Sequence, residues 1–208
     1  MRNAVRGHMA ELGITAAKGA AGFTALLRMI ADPEDERLPA MARAALASLA
    51  SQWHSAGEQI DALDEQILAW HKSDADSVRV ATIPQIGPII ASALVARTGD
   101  ATRFRKGRQF AAWLGLVPLQ NSSGGKERLG RITKTGDGYL RQLLVIAATG
   151  MIRRVRAKPA LSPWLAGLLA RMPAKKAAIA FANKLARIAW AILAHGGVYH
   201  AEHRPAAA

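Results

Sequence analysis

Between Ala42 and Trp70 apolar residues recur at alternating spacings of four and three: Ala42, Leu46, Leu49, Trp53, Ala56, Ile60, Leu63, Ile67 and Trp70. This spacing lays an apolar seam along one side of a helix through about four heptads, which predicts a long coiled-coil helix over residues 40–75. A seam of that length leaves a stripe for which one chain has no obvious cover, so a homo-oligomer through the coiled coil is expected. Glu58, Asp61, Asp64 and Glu65 occupy the outer positions and read as the solvated exterior of such a coil, not as a carboxylate site.

The rest of the chain also reads as helical. Gly13, Gly19, Gly22, Pro33 and Pro39 punctuate residues 1–39, with ADPEDERLP as an acidic loop between short helical pieces. After the seam comes VRVATIPQIGPIIASALVARTGD, with a tight turn from Pro84 to Pro88 and a new helix starting near Pro88, where proline's missing N–H costs nothing. Its Ile-Pro-x-Ile-Gly-Pro pattern fits two structures equally. One is a helix-hairpin-helix, in which Ile86 and Gly87 bring the backbone to a phosphate held by the free N–H groups of the next helix. The other is a plain turn between packed helices. Gln85 stands where such hairpins often carry their first glycine. Asp137 is placed to cap a helix with Leu140, Leu144, Ala147, Met151 and Val155 inward. A short helix follows from Pro163 to Met172. The last helix sets Ala178, Phe181, Leu185, Ile188 and Ile192 against Lys176, Asn183, Lys184 and Arg187, and stops at Gly196-Gly197. The tail 201–208 has no periodicity and is expected to be disordered. The fold class expected is all-α: the coiled-coil helix, then a helical domain over 76–200 containing the helix-hairpin-helix, with room for a short β-hairpin at its serine loop.

Charge narrows the function. Residues 1–100 hold 9 Lys and Arg against 12 Asp and Glu, a net of −3, whereas residues 101–208 hold 19 against 3, a net of +16. Such asymmetry predicts a polyanionic partner, because each cation set against a phosphate releases a counterion. Nucleic acid fits better than an anionic membrane, since the cations fall in loops and on several helices. There is no cysteine, so thiolate metal sites and disulfides are excluded. The six histidines, His8, His54, His71, His195, His200 and His203, show no ligand spacing, and no metal is expected in this chain. No apolar run approaches the roughly 18 residues of a membrane span, and the first residues lack a signal peptide's apolar block, so a cytoplasmic protein with no membrane contact is expected.

The chemistry concentrates in LVPLQNSSGGKERLGRITKTGDGYLR, residues 116–141. Here Ser122, Ser123, Gly124 and Gly125 sit among Lys126, Arg128, Arg131, Lys134 and Arg141, with only Glu127 and Asp137 as counter-charges. Just upstream, Arg103, Arg105, Lys106 and Arg108 precede an apolar helix. All nine cations are candidates for phosphate contact. Carboxylate-bound Mg²⁺ chemistry lacks ligands here, because after Asp100 only Glu127, Asp137 and Glu202 remain. A serine hydroxyl could attack a phosphodiester if a base or metal activated it and cations received the charge. By local chemistry alone a Ser-Ser-Gly-Gly stretch is more often a flexible turn, and the residues by themselves do not choose.

The run from Ile83 to Ala148, and within it NSSGGK-x-RLGRITK-x-G-D-x-YLR, resembles the C-terminal transposase domain of the insertion-sequence one-ten family, its eleven-eleven subgroup in particular. The closing NKLARIAWAILAHGGVYH and the opening RNAVRGHMAELGITAAKG are similar to the corresponding ends of those proteins. The resemblance implies a DNA transposase and recombinase guided by a structured bridge RNA. It pairs a RuvC-like domain, whose Asp/Glu/Asp/Asp set holds Mg²⁺, with a serine in this C-terminal domain. That serine falls on the Ser-Gly step, here Ser123, with Ser122 as the fallback. The chain starts after the point where the acidic set would lie, so residues 1–39 are read as the segment that follows the RuvC-like domain, with Mg²⁺ expected there and no cofactor in this chain. An alternative is a non-enzymatic nucleic-acid-binding remnant that modulates a full-length transposase.

Overall fold

The expected long helix begins directly after Pro39, whose carbonyl accepts the first helical hydrogen bond from the Arg43 N–H at 2.9 Å. It is α3, Ala40–Ser73, preceded by α1, Arg2–Glu11, and α2, Ala20–Ala31. The computed structural model describes residues 1–121 and 128–200. The chain divides into two compact units, Met1–Glu65 and Gln66–Ala208, with the boundary inside α3.

In the first unit Val5 and Met9 of α1 meet Phe23, Leu26 and Ile30 of α2 in a small core. Leu46 is buried in that core, and Leu49 and Trp53 pack against it, the Trp53 ring meeting Phe23 edge-on with centroids 5.1 Å apart. The Arg43 guanidinium donates to the Met29 carbonyl at 2.9 Å, in the last turn of α2, and to the Asp32 and Asp35 carbonyls of the loop that follows, fastening α3 to both. In the acidic loop the Arg37 guanidinium holds the Asp35 carboxyl down to about 2.

The helix is therefore as the seam predicts, but its cover differs along its length. Leu46 is buried by α1 and α2 of the same chain and Leu49 and Trp53 are partly covered, while Ile60 and Leu63 stay 58% and 56% exposed. A heptad repeat requires a partner for the stripe without specifying which one, and two short amphipathic helices serve as well as a second coil.

The second unit is built on α9, Ala174–His195, whose Ala177, Phe181, Ala182, Leu185, Ala189 and Ile192 lie in the core. Against it pack α7, Gly138–Ala157, through Leu144, Ala148 and Met151, and α6, Gly107–Trp113, through Phe110. Full burial of each large apolar side chain contributes about 1.5–3 kcal/mol, so this interface dominates the unit's stability. By length and composition alone α9 could cross a membrane, contrary to the expectation that no run approaches that length; its apolar side is what fills this core.

The remaining helical elements are α4, Ala75–Val80, α5, Pro88–Thr98, 3-10 turns at Ala101–Arg103 and Pro159–Leu161, and α8, Pro163–Arg171. Local signals set their ends as expected. Pro88 opens α5, the Asp137 carboxylate caps α7 by accepting from the Leu140 N–H at 3.0 Å, and Gly196 ends α9 at φ 75°. The two short strands β1, Pro118–Gln120, and β2, Leu129–Ile132, pair antiparallel, Pro118 opposite Ile132 and Gln120 opposite Leu129, with an irregular register between. The tail 201–208 lies outside the described residues.

Candidate nucleic-acid interface

The β-hairpin holds the segment of chemical interest. Asn121 donates its N–H to the Arg128 carbonyl at 2.9 Å, so the two ends of the segment 122–127 are tied together at the tip of the strands. Ser122, Ser123 and Lys126 lie outside the described residues, so the site is built from what surrounds them.

Two glycines let the hairpin base sit backbone-to-backbone on the end of α6. Gly115, at φ 69°, follows that helix and accepts from the Lys134 N–H at 3.2 Å. Gly136, at φ 84°, lies so close to the Trp113 carbonyl that an added Cβ would be 1.8 Å from its oxygen. A side chain there meets both left-handed strain and a backbone clash. Gly136→Ala is expected to destabilise the second unit by about 2–4 kcal/mol, lowering its melting temperature by roughly 10 °C. Gly167→Ala, in open space on α8, should leave it level or slightly raise it. Equal melting temperatures for the two variants would refute the backbone contact.

Arg141 does not stand free above this base. Its Nη1 donates to the Leu114 carbonyl at 2.8 Å and reaches Thr135 O at 3.4 Å, so the half-buried guanidinium fastens α7 to the α6 end and the β2 exit. Lys134 itself takes a left-handed backbone, φ 56°, with its side chain exposed. Arg131 is exposed on β2, and Arg128 is exposed where the strand begins.

The upstream cations gather at the other end of α6, about 10 Å along its axis from the hairpin base. Arg105, Lys106 and Arg108 are exposed there. Arg103 lies over the rings of Phe104 and Trp113, 4.8 and 5.1 Å from their centroids, which anchors its guanidinium to the surface. The start of α6 is pressed onto α9, since a Cβ on Gly107 would be 3.3 Å from Arg187 Cα. Asn183 Nδ2 donates to the Leu116 carbonyl at 3.2 Å, tying α9 to the chain entering β1.

Ile86 and Gly87 are placed differently from one another. The Ile86 side chain is buried in the core and its N–H donates to the Ile83 carbonyl at 3.0 Å, which leaves it little to offer a ligand. Gly87 is exposed at the N-cap of α5 with open space where a Cβ would be. Gln85 adopts φ 73°, the left-handed geometry that favours a glycine.

One ion pair escaped the sequence. The Arg97 Nε donates to Asp137 Oδ2 at 2.5 Å, and the same guanidinium lies 5.6 Å from the Tyr139 ring centroid. Burial works against ionisation of Asp137, but the Leu140 N–H and Arg97 outweigh it and hold its carboxyl below the ordinary value. Forty positions separate the two partners, so no local pattern links them. Among the described residues no three of His, Asp or Glu come together in a way that could hold a metal ion. The described residues offer no site for the Mg²⁺ that the resemblance implies for the RuvC-like domain.

Residues 77–162 match the transposase IS116/IS110/IS902 family. Over 201 residues, 96% of its length, the chain is 45% identical to the y4pF/y4sB protein of Sinorhizobium fredii, of which it covers 51%. It is 37% identical over 95% of its length to the transposase for insertion sequence element IS1111A of Coxiella burnetii, covering 54% of that protein. To the transposase for insertion sequence element IS1328 of Yersinia enterocolitica it is 36% identical over 95% of its length, covering 58%. The chain thus spans about half the length of the curated relatives it matches.

Proposed function

Because this chain belongs to the IS116/IS110/IS902 transposase family, we propose that it is the DNA-binding, serine-bearing portion of a DNA transposase and recombinase directed by a structured bridge RNA. The observation that carries this reading is the placement of the cations. Arg105, Lys106 and Arg108 at the start of α6, and Arg131 and Lys134 on the hairpin, are exposed at the two ends of one short helix packed on α9. They belong to the half of the chain whose balance is +16. Ser123 lies in sequence between the two strands, and on this reading its hydroxyl attacks a phosphodiester held by these groups.

The test is duplex affinity after neutralising Arg105, Arg108 and Arg131 together. If each meets a phosphate, the slope of log affinity against log salt falls by about 0.9 per contact and affinity at low salt drops by at least about tenfold. An unchanged slope would remove these residues from the interface. The partner's salt response separates phosphate contacts from a loss of folding, which circular dichroism would report independently.

Association is proposed through the exposed stretch of α3. Changing Ile60 and Leu63 together to Asp should turn an oligomer into monomers in sedimentation at micromolar concentration, and both positions lie outside the buried core, so folding should survive. An unmodified chain that sediments as a monomer would end this proposal.

A further inference from the structure

From Gly138 to His200 the sequence holds no Asp or Glu, so the cations of α7, α8 and α9 find no carboxylate on their own elements. One of them sits in an unusual place. The Lys184 ammonium lies 4.4 Å from the centroid of the Trp164 ring, and burial beside that ring pushes its pKa down. None of the ion pairs among the described residues involves it. A partly desolvated cation with no protein counter-ion is poised for an anion from outside.

Trp164 itself is 43% exposed in the first turn of α8. Phe181 of α9 holds it from the side, with ring centroids 6.2 Å apart and planes tilted by 40°. An indole braced in this way is already ordered at the surface, so a base that stacks on it pays little further conformational cost. Its location also matters. Asn183, the residue before Lys184, holds the chain entering β1, and Arg187, one turn further on, abuts the start of α6. The stretch of α9 that carries Lys184 is therefore the stretch fastened to both the hairpin and the basic end of α6.

We propose that Trp164, with Lys184 and Arg187, forms a subsite for one unpaired nucleotide of a DNA strand, the base stacking on the indole and its phosphate taken by the two cations. Duplex DNA keeps its bases inside the helix and cannot use an indole face, so the subsite selects an opened strand. Lys184 ends a flexible stem and can move from the ring face to the phosphate as the base arrives. This inference rests on the DNA-binding role proposed above.

The experiment measures fluorescence anisotropy of labelled oligothymidylate of about 12 nucleotides, a duplex of the same length and the matching oligouridylate against the unmodified chain. Trp164→Ala should weaken single-strand DNA binding about tenfold or more while duplex affinity changes by less than about twofold. Trp164→Phe should retain most of the single-strand affinity, because a phenyl face still stacks. Lys184→Gln should lower the single-strand salt slope by about 0.7. Equal single-strand affinity in Trp164→Ala, or equal losses for single strand and duplex, overturns the subsite while leaving the DNA-binding role intact. Tighter, Trp164-dependent binding of the oligouridylate overturns its assignment to DNA. An unmodified chain that binds none of the three overturns the role itself.

Discussion

Ser123→Ala is expected to abolish covalent attachment of the protein to a DNA end, a loss of about a thousandfold or more in adduct formation, while DNA affinity changes by less than about twofold. In the proposed step the serine Oγ forms a bond to phosphorus and the bond from phosphorus to the leaving sugar oxygen breaks. The hydroxyl proton leaves to a base, and the leaving oxygen is protonated. If Ser123 is the nucleophile, its replacement removes the attacking oxygen, whereas one hydroxyl adds little beside many phosphate contacts. The resemblance implies an acidic set in a RuvC-like domain and a guide RNA, so the adduct is read in a protein that joins such a domain to this chain in the presence of that RNA. A denaturing gel with end-labelled DNA gives the result directly. If Ser122→Ala removes the adduct and Ser123→Ala does not, the assignment moves by one residue. If neither change matters, the segment is a basic turn without covalent chemistry.

The second large effect is the response of DNA binding to salt. With roughly 6 to 10 phosphates contacted, duplex affinity should fall by about three to five decades between ~50 and ~200 mM salt. The second half of the chain has the charge for this, 19 Lys and Arg against 3 Asp and Glu, and several of those cations are exposed around α6 and the hairpin. Arg97 and Arg141 should contribute less than their charge suggests, because Asp137 neutralises one and backbone carbonyls occupy the other. An affinity that does not depend on salt would place the DNA on apolar or hydrogen-bonding contacts and contradict the proposed interface. Absence of binding would leave a helical protein whose basic half serves another end. A non-enzymatic remnant would show the same salt response, so only adduct formation separates it from an active recombinase portion.

Several parts of this protein could be read from the chain alone. Helix starts and stops depend on backbone groups within about four residues, which is why Pro88, Asp137, Pro163 and Gly196 mark real boundaries. The seam predicts one long helix because its period is a local property, and α3 spans Ala40–Ser73. The charge asymmetry and the serine-bearing block are likewise printed in the order of residues, and the block was enough to point to the family.

Tertiary structure decided what those features touch. Leu46 and Ile60 share one seam, yet the first is buried by α1 and α2 and the second is exposed. Arg131 and Arg141 look alike in a basic run, yet one is exposed on a strand and the other ties carbonyls together. Ile86 and Gly87 adjoin in a suspected hairpin, but the core takes the first. Gly115 and Gly136 become necessary only because α6 and the hairpin exit approach within backbone contact, and Trp164 matters only because α9 brings Lys184 over it. Periodicity, capping and charge are fixed by near neighbours along the chain. Burial, counter-ion and close approach depend on residues tens of positions away, so they exist only once the chain has packed.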